Sequence, residues 1–240
     1  METTSCVKFL KSYKENVLCE SIKEIEKIDY DLRTALNPFL PKNALDEVVA
    51  MLQKYPISLE ITPCLKGTMR GMFHYDINNP HIIYIINSLD KDTFLRVFLH
   101  EYAHLLTHLT FPNVGVHDRE FLFCFCKLIN IFFKKKIISE DLQFFNFKGF
   151  RVPSGHYQIE KTWKSNEYHK QLLSLLSGFP LKTIRIGSQF EYQNEIFVRG
   201  KGQQGKIRCT RVSDGMIFQL DMDTLINPVL DLEWGKKSQQ

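Results

Sequence analysis

Two histidines and a glutamate at fixed spacing carry the clearest chemistry in this 240-residue chain. His100, Glu101 and His104 lie in His100-Glu101-Tyr102-Ala103-His104, an H-E-x-x-H pattern inside the apolar stretch Phe94 to Thr110. On a helix of about 3.6 residues per turn, positions four apart share a face, so His100 and His104 can offer two imidazole nitrogens to one metal ion. Glu101, on the same turn, sets a carboxylate near the ion's remaining position. There it can take a proton from water without acting as a ligand. The pattern predicts metal-assisted hydrolysis.

A hydrolytic zinc site needs a third protein ligand and an open position. His117 is the first candidate, following His104 after twelve intervening residues and opening a second apolar run, Phe121 to Phe133. Phe111-Pro112-Asn113-Val114-Gly115 reads as the turn between two antiparallel helices that converge on one ion. Glu120 is the rival ligand. His108 extends the i, i+4 ladder, but three ligands on one straight helix would span roughly 12 Å, too far for a single ion. The bland alternative is a chance match in a chain with eight histidines. Against it stand Phe94, Leu95, Val97, Phe98, Leu99, Ala103, Leu105 and Leu106, which predict a buried helix. Two histidines and a glutamate buried together are costly without a partner, and a metal supplies one.

These residues need a scaffold. Residues 1–36 read as a charged helical segment with a partial stripe of Val17, Leu18, Ile22, Ile25 and Ile28. After Asn37-Pro38 and Pro41, Asn43 is placed to cap a helix over Ala44 to Lys54, and Pro56 closes it. Ile57 to Thr62, Met69 to Tyr75 and Ile82 to Ile86 read as strands, with Met69 to Tyr75 as the edge beside the metal that could hold an extended peptide. The expected fold class is therefore α+β: a zincin-like core of helix, three-stranded sheet and two metal-binding helices over 37–150, a linker over 151–183, and a small antiparallel β domain over 184–230.

With His100-Glu101-x-x-His104, twelve intervening residues and His117-Asp118-Arg119-Glu120-Phe121, the chain resembles the SprT-like zinc metallopeptidases over roughly residues 37 to 145. That family includes the Spartan proteases, which digest proteins crosslinked to DNA. The resemblance implies Zn2+ held by His100, His104 and His117, with Glu101 as catalytic base, acting on a protein or peptide substrate. Asp118 departs from the family's glycine after the third histidine. No cysteine zinc ribbon follows, and the chain looks like a bacterial branch with a short β-rich tail, as does Leu40-Pro41-Lys42-Asn43-Ala44-Leu45. Tyr75, His74 and Arg151 are candidates for stabilising an oxyanion, and the residues do not rank them.

Hydrophobic content of 44%, charged content of 24% and a net charge of +4 suit a soluble globular protein and permit contact with nucleic acid without demanding it. The N-terminus lacks an apolar signal-peptide core and the longest apolar run is too short for a bilayer, so the expectation is a cytoplasmic protein with no membrane contact. The six cysteines form no C-x-x-C pair, and reduced, mostly buried thiols are expected. Asp141 to Lys170 reads as connecting chain, with His156 and His169 as surface residues. Lys134 to Lys136 suit the end of the second helix. In the tail, Gln189 to Tyr192, Glu195 to Arg199, Lys206 to Val212 and Met216 to Leu220 alternate as strands, with Gly200-Lys201-Gly202 and Asp214-Gly215 as turns. Seven basic residues at 182, 185, 199, 201, 206, 208 and 211 oppose Glu191 and Glu195, a local balance of +5. That makes a DNA contact through the basic C-terminal segment the alternative reading, as an adaptor with a structural or vestigial metal site.

Overall fold

In the computed structural model, residues 7–9, 31–55, 57–75, 81–112, 117–138, 176 and 178–232 are described. The stripe from Val17 to Ile28, Pro56, most of the turn after α3, Arg151 and the connecting chain with His156 and His169 lie outside them. The architecture is mixed α+β. Within the described residues, α1 spans 31–36, α2 Lys42–Lys54, α3 Lys91–Thr110 and α4 Arg119–Lys134. They divide inside α3, between Tyr102 and Ala103, into two compact units.

The first unit is built on a four-stranded sheet in the order β1-β2-β4-β3: β1 is Val7–Phe9, β2 Ile57–Thr62, β3 Gly71–His74 and β4 His81–Ile86. β2 and β4 pair in parallel from Ile57 and His81 to Thr62 and Ile86, while β1 and β3 add antiparallel at either edge. The expected edge strand is thus an edge among the described residues. β1 corrects the helical reading of its segment. Val7-Lys8-Phe9 has a strand's two-residue alternation, and pairing with β2 decides a stretch too short to show its period. α2 also differs at its start. Pro41, with φ −58°, precedes the helix, and Asn43 sits inside it rather than capping it. Leu36, Leu40, Val48, Val49, Met51, Ile83 and Ile85 are fully buried, as are Phe94, Phe98, Leu99 and Tyr102 on α3.

The second unit holds the end of α3, α4 and a six-stranded antiparallel sheet in the order β5-β10-β6-β7-β8-β9. β5 is Phe179–Pro180, β6 Gln189–Tyr192, β7 Glu195–Gln203, β8 Lys206–Arg211, β9 Ile217–Asp221 and β10 Leu225–Pro228. β5 and β10 join the four strands expected from alternation, and β5 falls in the stretch read as linker; both are too short to display a period. The expected turn at Gly200-Lys201-Gly202 is instead part of β7, at a bulge between Arg199 and Gly202. A Cβ on Gly200 would stand 2.6 Å from the Arg208 carbonyl oxygen, so glycine serves close approach of two strands there. The turn is made by Gln204 and Gly205, at φ 51° and 79°. Asp214-Gly215 does turn the chain: the Asp214 carboxylate pairs with the Arg211 guanidinium and accepts the Met216 N–H at 3.0 Å, which together hold its pKa low, at about 2. No helix among the described residues is long and apolar enough to cross a membrane.

Candidate metal centre

The site is positioned by the two ends of α3 and the start of α4. Asp90 fastens the N-terminus of α3, accepting the Thr93 N–H at 2.9 Å and the Thr93 hydroxyl at 2.6 Å, which lowers its own carboxyl. Mid-helix, the buried Tyr102 hydroxyl donates to the Met51 carbonyl of α2 at 3.0 Å. At the C-terminus the β-rich segment supplies donors for carbonyls that the helix leaves unpaired: Arg185 Nε to His108 O at 2.6 Å and Arg185 N–H to Thr110 O at 2.7 Å. Phe179 of β5 meets Phe111 and Phe123, each at 5.1 Å between ring centroids, under the Arg119 guanidinium at 4.5 Å. α4 ends as its lysines suggest, with Lys136 left-handed at φ 56° and bonded back to Phe133.

This framework brings His100, His104 and His117 together, each half-buried, with one ligand nitrogen from each lying within 4.8 Å of the others. Glu120 is not in that group, and His108 contributes its carbonyl to Arg185 rather than an imidazole to the cluster. Phe121, fully buried on α4, packs against two of the imidazoles, with ring centroids 4.2 Å from His104 and 5.0 Å from His117. Burial lowers the His117 pKa, partly offset by the Asp118 carboxylate, and so favours the neutral imidazole that a metal requires. A tetrahedral zinc with Zn–N of about 2.0–2.1 Å sets its ligand atoms about 3.4 Å apart, so the three nitrogens fit such an ion with small side-chain movements. These three histidines could hold a metal ion.

Glu101 is 7% exposed. Burial pushes its carboxyl up to about 8, against the opposing effect of the Phe73 backbone N–H that it accepts. A buried carboxyl of this kind gains its charge only beside a cation, which a metal on the neighbouring histidines would provide. Of the oxyanion candidates, His74 and Tyr75 are exposed at the end of β3, and Tyr75 lies 5.1 Å from the His81 ring. Two neighbours of Glu101 escaped sequence reasoning: Gly71 and Phe73. The one available signal was a glycine at the start of a strand, which often marks close backbone approach.

The basic tail is less free than its balance suggests. Lys182 pairs with Asp223 and Lys206 with Asp221, both at 2.6 Å; Arg211 pairs with Asp214, and Arg199 Nε donates to the Leu181 carbonyl at 3.1 Å. Counted to residue 223, the balance falls from +5 to +2. Lys201, Lys206 and Arg208 still line an open cleft of about 510 Å³ with Gln203, Gln204 and Gln219.

Comparison with protein-family models, curated proteins and solved structures finds no match for the chain.

Proposed function

We propose that this protein is a zinc-dependent endopeptidase of the SprT-like, zincin type, using Zn2+ on His100, His104 and His117. The observation that carries this reading is the convergence of three half-buried imidazoles beside a buried carboxylic acid. Zinc, when bound, lowers the pKa of a water and polarises a scissile carbonyl. The chain supplies the rest. Glu101 accepts a proton from the attacking water and returns it to the leaving amine. Phe121 restrains the two imidazoles it touches, and the outer edge of β3, where Glu101 takes the Phe73 N–H, leaves its remaining main-chain groups for an extended peptide. Retention of a glutamate at position 101 favours catalysis over a purely structural metal site, which needs no base.

The test is metal content by elemental analysis together with casein cleavage, on wild type, Glu101→Gln and His117→Ala. The expected result is about one zinc in the first two and none in the third, with cleavage in wild type alone. A zinc-replete, fully active Glu101→Gln protein would sink the mechanism. The cleft lined by Lys201, Lys206 and Arg208 favours a second reading, an adaptor or targeting contact with DNA. It predicts DNA binding that weakens steeply with salt and is lost in a Lys201→Ala/Arg208→Ala variant.

A further inference from the structure

Strand β3 is an edge, yet its main chain is engaged. The Ile86 N–H bonds the Arg70 carbonyl at 3.1 Å, and Gly71, Met72 and Phe73 stand opposite Ile85, Tyr84 and Ile83. Main-chain groups alternate sides along a strand, so Arg70 and Met72 face β4 while Gly71 and Phe73 direct theirs to the open edge. No strand among the described residues pairs with that edge. The Phe73 N–H nevertheless has an acceptor there, the Glu101 carboxylate. Gly71 explains the proximity. A Cβ at this position would lie 2.4 Å from Val97 Cγ1, 2.9 Å from Glu101 Oε1 and 3.0 Å from Glu101 Cγ. Strand and helix approach each other there as only glycine permits.

We propose that Gly71 and Phe73 are positioning residues for Glu101: the Phe73 backbone N–H holds the carboxylate, and the bare Gly71 lets β3 come close enough to α3 to do so. The consequence for turnover rests on the peptidase reading; the hydrogen bond does not. A base on a buried helix keeps several rotamers unless something fixes it, and a main-chain donor on a paired strand is a rigid anchor.

Amide hydrogen exchange followed by NMR tests the hydrogen bond directly, on metal-free wild type, Glu101→Gln, Glu101→Met and Glu101→Ala. Glutamine keeps an acceptor and methionine keeps only the bulk. The Phe73 amide is expected to exchange at least about tenfold faster in the methionine and alanine variants than in wild type and the glutamine variant. The Ile86 amide, bonded to Arg70, serves as the control. Equal Phe73 exchange in all four proteins, with Ile86 still protected, would overturn the proposal. For turnover, Val97→Ala removes the 2.4 Å contact from a Gly71→Ala protein and leaves both contacts with Glu101. Gly71→Ala/Val97→Ala is therefore expected to match Val97→Ala in zinc content and Tm while its kcat stays down about tenfold or more. A kcat that recovers with stability would reduce Gly71 to a packing residue and refute its positioning role. A zinc-loaded wild type that cleaves no peptide would defeat the peptidase reading instead, and the exchange result would still decide the hydrogen bond.

Discussion

Replacing Glu101 by glutamine is expected to stabilise the metal-free protein, increasingly so as pH rises. Glu101 is 7% exposed and its carboxyl is pushed from 4.5 up to about 8, chiefly by burial. Between those values the unfolded chain has released the proton while the folded chain keeps it. The folded state therefore binds more protons, and its stability falls with rising pH by about 1.4 kcal/mol per unit. This contribution is fully present below pH 4.5 and lost as pH passes 8, for a total of roughly 5 kcal/mol at most. Glutamine has the same shape and can accept from Phe73, but it has no proton to lose. At about 2–4 °C per kcal/mol for a chain of this size, the variant is expected to match wild type near pH 5 and to melt roughly 10–20 °C higher at pH 9.

The assay is thermal unfolding of both proteins after chelation, from pH 5 to pH 9. The difference between the two curves isolates position 101, because burial-depressed histidines such as His117 act in both proteins and lose stability in the opposite direction, as pH falls. Zinc returned to wild type is expected to shrink the gap, since a cation on the neighbouring histidines favours the carboxylate. Curves that run parallel across the range would refute the claim that an uncompensated carboxyl is buried at this site.

Tyr102→Phe removes the hydroxyl that donates to Met51, leaves that carbonyl without its buried donor, and is expected to cost about 1–2 kcal/mol in denaturant unfolding without changing zinc stoichiometry. Phe179→Ala opens a cavity against Phe111 and Phe123; about 3–5 kcal/mol should be lost, read as a lower Tm. Among the described cysteines, Cys64 is exposed, whereas Cys124, Cys126 and Cys209 are buried. Burial pushes the thiols of Cys124 up to about 12 and of Cys209 up to about 11, and raises Cys126 further. Alkylation mapped by mass spectrometry should therefore label Cys64 in the native protein and the other three only after denaturation.

What could be read beforehand was local. The histidine pair is a property of one helix and four residues, so its shared face is visible in the chain itself, and the apolar residues around it announce burial. β2 and β4 show themselves by β-branched runs, and Asp214-Gly215 by its dipeptide. What could not be read depends on a second segment. β1 is a strand because β2 is there to pair with it, and β5 is a strand because β10 is. Gly200 looks like a turn until the Arg208 carbonyl is placed beside it. Most of the tail's excess of positive charge is offset by Asp214, Asp221 and Asp223, which lie further along the chain than the seven basic residues. Gly71 needed both strand and helix in place before its lack of a side chain acquired a meaning.

The same dependence decides how the β-rich segment should be probed. It resembles an appendage in sequence, but Arg185 bonds the last carbonyls of α3, and Phe179 covers Phe111 and Phe123, which are at most 1% exposed. Removing residues 178–232 would uncover two aromatic side chains and free the end of the helix that carries His100 and His104. A truncated protein without zinc or activity would then report on helix stability as much as on any role of the tail in recruitment. Lys201→Ala/Arg208→Ala avoids the ambiguity, because these side chains line the cleft and form no part of the α3 clamp. Loss of DNA binding in that variant, with zinc and casein cleavage retained, would make the tail a targeting surface. Unchanged DNA binding would leave its structural hold on the metal helix as its function.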